Sequence, residues 1–168
     1  WPNWEIPISE TYGALSRLKE EGKIRAIGCS NFGTRDLGEL LQQGRVEIDQ
    51  LPYNLLWRGI EYEILPACVE NNVGVACYSS LLHGLLTGKF QSFDDVPPLR
   101  IRTRHVAASR EGVRHGEPGA ERETFEAVDK IRQVALDIGV PMAQLSIAWL
   151  LLQDYIPNLY TLGYKLRA

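Results

Sequence analysis

Four uncharged polar side chains stand out by type and by place. Ser30 and Asn31 end the apolar part of KIRAIGCSNFG (23–33), Gln50 lies in VEIDQL (46–51), and Tyr78 closes VGVACY (73–78). Ser, Asn and Gln offer hydrogen-bond donors and acceptors without ionising. Such a set matches a carboxamide, which has a donor end and an acceptor end. A tyrosine adds a flat face on which an aromatic ring stacks. A nicotinamide meets both demands. The same residues also read as ordinary structure, because Ser-Asn after a strand is good turn and helix-cap chemistry and a single Gln or Tyr at a strand end carries little meaning. Agreement across three successive segments weighs toward a ligand.

These side chains need elements that bring them to one place. Tyr12, Leu15 and Leu18 recur at a helical interval after Ser9, a candidate cap, and Gly22 stands where a left-handed stop belongs. A strand is expected over 24–29, a helix over 34–43 ended by Gly44, and a strand over 46–51. A helix over 61–72, with Pro66 kinking it or breaking its first turns, leads to a strand over 73–78 buried on both faces. Alternation of this kind predicts an α/β protein with a parallel sheet and right-handed crossovers. In a parallel barrel the strands' C-terminal ends converge on one face, where active sites are built. The stretch 79–120 breaks the rhythm; it is rich in Gly, Pro and Arg, and its length suggests a functional or mobile loop. Helices over 121–138, ended by Gly139, and over 142–153 follow, and IPNLYTLG (156–163) reads as one more strand.

Composition narrows the class. With 168 residues, 45% apolar and 23% charged residues and a net charge of −3, the chain reads as one soluble globular domain, not a nucleic-acid binder or a membrane-surface protein. Cys29, Cys68 and Cys77 have no paired spacing, which points to a reducing, cytoplasmic compartment. Cys29 has no neighbouring His or cation in sequence and reads as packing. His83, His105 and His115 lack ligand spacing, so no metal is assigned. The chain opens WPNWEIP without an initiator Met, and its only methionine is Met142, which suggests part of a longer polypeptide.

GKIRAIGCSNF, IDQLPYNLLWRGIEYEILPACVENNVGVACYSSLLHGLLTGKF and QLSIAWLLLQ, in this order, resemble the aldo-keto reductases, in particular the bacterial-type branch related to potassium-channel β subunits. The resemblance implies a (β/α)8 TIM barrel binding NADPH, of which this chain, residues 1–168, is a single partial domain truncated before Trp1: roughly the second half, strands five to eight with their helices. It implies that Ser30, Asn31 and Gln50 hold the nicotinamide carboxamide and that Tyr78 stacks on the ring. Ser79, Ser80, Leu81, Leu82, His83 and Gly84 resemble the loop that crosses the pyrophosphate. Family members carry Pro where Ser80 stands here, and its loss frees a φ angle and predicts a looser loop. Lys89 and Arg100 resemble the cations near the phosphates. Arg100, with a fork that bonds two oxygens, suits the adenosine 2′-phosphate and favours NADPH over NADH.

The resemblance also says what to look for elsewhere. The family protonates its carbonyl substrate with a Tyr whose pKa is lowered by a Lys paired with an Asp, beside a His, all from the first half of the barrel. WPN resembles the residues that follow that His, and none of the seven tyrosines stands in the catalytic context. The expectation is the C-terminal portion of a reductase of small carbonyl compounds, inactive alone, with self-association through open barrel edges. The alternative is a non-catalytic cofactor-binding or regulatory module.

Overall fold

Val73 to Cys77 is apolar without a break, and a strand covered on both faces is the conformation that hides every one of those side chains. In the computed structural model, which describes residues 1–98, 103–153 and 159–161, this segment is the middle of a four-stranded parallel sheet. The strands are β1 (Gly28–Ser30), β2 (Ile48–Pro52), β3 (Gly74–Tyr78) and β4 (Leu159–Thr161), hydrogen-bonded in that order. The helices are α1 (Ile8–Glu20), α2 (Thr34–Gln43), α3 (Ile64–Glu70), α4 (Glu121–Asp137) and α5 (Met142–Leu151).

The chain divides into two compact units. The described residues of the first are 1–53, 58–78, 153 and 159–161, and so it contains the sheet with α1 to α3. Register in it is set by Gly28, Cys29 and Ser30 pairing with Ile48, Asp49 and Gln50, and by Ile48 to Pro52 pairing with Gly74 to Tyr78. Gly28 is required at its place, because a Cβ there would lie 2.5 Å from the Ile48 methyl. Leu37 and Leu40 of α2, Leu65 and Cys68 of α3, and Leu51, Val75 and Cys77 of the strands are buried. α1 instead buries no residue fully, and its stripe of Tyr12, Leu15 and Leu18 is half covered.

Several expected boundaries move for identifiable reasons. α1 starts at Ile8, not after Ser9: Pro7 is the N-cap, and its carbonyl accepts from the amides of Glu10 and Thr11. Gly22 does adopt the left-handed conformation, at φ 72°. β1 is shorter and later than the apolar run 24–29, because the Ile27 amide donates to the Glu47 carboxylate at 2.6 Å. Pro66 falls in the first turn of α3, where its missing N–H costs no helical bond, and the residues before it form a separate 3₁₀ turn, Gly59–Glu61.

The described residues of the second unit are 54–57, 79–98 and 103–152. Much of 79–120 is irregular but not loose: Leu82, Leu85, Leu86, Phe90, Phe93, Val96 and Val106 form a buried core with Val128 and Ala135 of α4 and Met142 of α5. Arg110 ties this segment together, bonding Glu121 through two nitrogens at 2.6 and 2.7 Å and also pairing with Asp94. Among the described residues no single helix is long and apolar enough to cross a membrane.

Candidate functional site

In a parallel sheet, residues paired in register point to the same face and neighbours alternate. Ser30 pairs with Gln50, Gln50 with Ala76, and Tyr78 lies two residues beyond Ala76. Ser30, Gln50 and Tyr78 therefore share one face at the C-terminal tips of three neighbouring strands. Asn31 follows β1 with φ 60°, a left-handed turn that a non-glycine residue adopts at a cost and that asparagine tolerates best. The turn is held by the Asn31 amide, which donates to the Gln50 carbonyl at 3.0 Å.

The four side chains form one directional hydrogen-bond chain. Tyr78 OH donates to Asn31 Oδ1 at 2.9 Å, and Asn31 Nδ2 donates to Ser30 Oγ at 3.1 Å. Ser30 Oγ then donates to the Gln50 carbonyl at 3.2 Å, with Gln50 Oε1 a second acceptor at 3.4 Å. Ser30 is buried, whereas Asn31, Gln50 and Tyr78 remain half exposed. Gln50 Nε2 donates to no group among the described residues, so the chain of bonds ends in an available donor beside an accessible tyrosine ring. A carboxamide needs a donor for its oxygen and an acceptor for its nitrogen, and this set supplies both without a charge. Burial pushes the Tyr78 hydroxyl above its ordinary pKa, against the opposing effect of the Asn31 bond. A raised value suits a neutral ring face better than a proton donor at neutral pH.

On the other face of the sheet, Cys29 pairs in register with Asp49. Burial, reinforced by the neighbouring carboxylate, pushes the Cys29 thiol well above its usual range, so it is an inert packing group. Cys29, Cys68 and Cys77 are all free thiols. Among the described residues no group of three or more His, Cys, Asp or Glu side chains has the arrangement to hold a metal ion.

The remaining candidates belong to the second unit. Ser79, Ser80, Leu81 and Gly84 lie in one loop with Leu82 and His83, and Ser79, Leu82, His83 and Gly84 all have positive φ, from 45° to 104°. The serine in place of proline does not leave this loop untethered. Ser80 is buried, the Ser79 carbonyl accepts from the Leu82 amide at 2.7 Å, and the Leu81 carbonyl accepts from the amides of Gly84 and Leu86. Asn54, which the motif reading left without a role, is the pin: its Nδ2 donates to the Ser79 carbonyl at 2.9 Å while its Oδ1 accepts the amides of Leu56 and Trp57. Lys89 is exposed at the end of the loop with its ammonium 4.6 Å from the Phe90 ring centroid. Arg100 lies outside the described residues.

The chain is similar to known proteins along most of its length. The model of the Aldo/keto reductase family matches residues 1–160. The chain is 34% identical over 153 residues to the NADH-specific methylglyoxal reductase of Escherichia coli, a match covering 91% of this chain and 44% of that protein. It is 35% identical over 158 residues to the NADP(+) aldo-keto reductase yakc of Schizosaccharomyces pombe, again covering 91% of this chain and 44% of the relative. Among solved structures, the glycerol dehydrogenase of Gluconobacter oxydans superposes with a TM-score of 0.75 at 28% identity, over 96% of this chain and 46% of that one. An aldo-keto reductase from Klebsiella pneumoniae in complex with NADPH gives a TM-score of 0.65 at 25% identity, over 98% and 46% of the two chains. The chain thus spans less than half the length of each of these relatives.

Proposed function

The chain belongs to the aldo/keto reductase family, and from that premise we propose that it is the cofactor-binding second half of an NADPH-dependent carbonyl reductase barrel, strands five to eight, in one partial domain. One observation supports the reading above others: Tyr78, Asn31, Ser30 and Gln50 form a single hydrogen-bond chain at the tips of three adjacent parallel strands. When bound, the reduced nicotinamide supplies a hydride for a carbonyl carbon. The chain's own residues bind and orient: Ser30, Asn31 and Gln50 hold the carboxamide, and Tyr78 covers one ring face so that the other meets the substrate. Ser79, Ser80, Leu81 and Gly84 follow the pyrophosphate, and Lys89 and Arg100 meet the phosphates.

The proton for the carbonyl oxygen comes from another source. Tyr78 is the cradle's one tyrosine, and its pKa is raised, not lowered. The acid and its Lys, Asp and His partners belong to the first half of such a barrel, so the 168-residue chain binds cofactor but does not turn over carbonyls. Its three free thiols suit a cytoplasmic setting. The open edge of β1 makes self-association the expected behaviour of the isolated chain.

Isothermal titration with NADPH and with NADH tests the reading. Saturable binding of NADPH, tighter than that of NADH, is expected, with carbonyl reduction appearing only when a complementary first half is supplied. Binding with no turnover even then favours the regulatory-module alternative. Failure of the folded chain to bind either cofactor, or unchanged binding in Asn31→Ala and Tyr78→Ala, contradicts the proposal.

A further inference from the structure

Arg132 of α4 has a side chain only 25% exposed. Its Nη1 pairs with Asp129, three residues earlier on the same helix, and its Nη2 donates to the Phe90 carbonyl at 3.1 Å, 42 residues away in sequence. Its Nε is buried without a partner among the described residues. Burying part of a guanidinium with one N–H unsatisfied is costly, and a pair with the well-exposed Asp129 returns little of that cost. The carbonyl that this arginine reaches is what sets it apart.

That carbonyl closes the turn formed by Gly88, Lys89 and Phe90. Gly88 stands at φ 78°, and a Cβ there would lie 3.3 Å from Met142 Sδ of α5 and 4.0 Å from Arg132 Nε, so the turn runs tight against both helices. Phe90 is buried in the core of this unit. Lys89, between them, is exposed and forms no ion pair or hydrogen bond among the described residues; its ammonium lies 4.6 Å from the centroid of the Phe90 ring. A ring face holds an ammonium through its quadrupole and leaves N–H donors for another acceptor. Arg132 thus grips the backbone of the same residue whose ring grips Lys89.

We propose that Arg132 is a positioning residue for Lys89: its bond to the Phe90 carbonyl fixes the 88–90 turn, and the fixed Phe90 ring holds the ammonium where a phosphate oxygen can meet it. For the phosphate, though not for the turn, this rests on the dinucleotide reading above. A lysine left to itself samples many rotamers that a ligand must freeze, whereas one already held over a ring binds its anion at a lower ordering cost. Asp129 neutralises the arginine at its other end, so the anion is met by Lys89 and Arg132 acts through it.

The test joins affinity to a spectroscopic mark, both on the 168-residue chain. Isothermal titration with NADPH is expected to show Lys89→Ala weakened by about tenfold or more and Arg132→Gln by about threefold to tenfold. Combined with Lys89→Ala, Arg132→Gln is expected to add nothing, because the lysine it positions is gone. In NMR spectra of the ligand-free chain, the Lys89 ε-methylene protons are expected upfield of their ordinary position, shifted by the Phe90 ring, and are expected to return to it in Arg132→Gln. Arg132→Lys, which keeps one donor for the carbonyl, is expected to be intermediate in both readouts. Should Arg132→Gln fail to fold, Arg132→Lys carries the test, and a ring shift unchanged in it overturns the proposal. An Arg132→Gln loss that persists in Lys89→Ala also overturns it, since the effect then lies in charge or folding, as do Lys89 protons found at their ordinary position in the unsubstituted chain. A ring shift that depends on Arg132, beside NADPH binding that ignores Lys89 or is absent, upholds the positioning role and counts against the phosphate reading alone.

Discussion

Tyr78 offers two things that separate substitutions pull apart: a hydroxyl that orders Asn31 at 2.9 Å and a half-exposed ring. Tyr78→Phe removes one hydrogen bond and leaves the ring, so affinity for NADP+ is expected to fall by about threefold to tenfold. Tyr78→Ala removes the stacking face as well, and stacking of an aromatic heterocycle is worth roughly 1–3 kcal/mol, or a loss on the order of 10- to 100-fold. Titration of both variants checks the order; equal losses would place the effect in the hydroxyl and remove the ring from the account. Ser30, Asn31, Gln50 and Tyr78 were legible in the sequence because a parallel sheet needs no knowledge of packing to align its strand tips. Asp49 and Asn54 were not. A lone Asp in an apolar run and an Asn after Pro-Tyr give no periodic signal: that Asp49 is wholly buried and that Asn54 pins the Ser79 carbonyl 25 positions away follow only from how the chain packs.

Elements were most readable where one residue decides an end. α2 runs from Thr34 to Gln43 as expected because Gly44, at φ 151°, stops it in a conformation closed to side chains. A Cβ at Gly44 would also sit 2.2 Å from the Tyr12 hydroxyl, which donates to the Arg45 carbonyl. Gly44→Ala is expected to cost on the order of 1–3 kcal/mol and to shift the denaturation midpoint with no change in its slope. Unaltered stability would mean that the turn relaxes freely. β1 was misplaced because apolar pattern cannot reveal that a carboxylate, Glu47, takes the Ile27 amide, with Lys19 holding its other oxygen at 2.6 Å. The segment after β3 was read as a possible mobile loop because it has no period, yet Leu82, Leu86 and Phe93 are almost wholly buried. Irregular backbone packs as well as regular backbone when its leucines point inward, and a period search cannot see that.

At the scale of the whole molecule, His105 in the second unit and Asp49 in the first respond to acid with opposite signs. In the second, burial holds His105 below its ordinary value, so the contribution of its neutral ring is full above about pH 6.5 and is lost as pH falls through the folded value. Glu121, held below the usual carboxylate range by Arg110, keeps its contribution above about pH 4.5 and loses it further down. In the first unit Asp49 is raised to about 6, so its contribution is present below the ordinary value and is lost as pH rises through 6. Hydrogen exchange, corrected for intrinsic rates, is expected to quicken around 103–106 and to slow around 48–51 between about pH 7 and 5; a uniform change in both would contradict this assignment. The central claim is that the strand-tip face carries the nicotinamide itself. Saturation-transfer NMR with NADP+ reads it most directly: the nicotinamide protons should receive magnetisation from the chain and lose it in Tyr78→Ala while the adenine protons keep theirs. Nicotinamide protons that stay silent beside saturated adenine protons, or that respond equally in Tyr78→Ala, would contradict it.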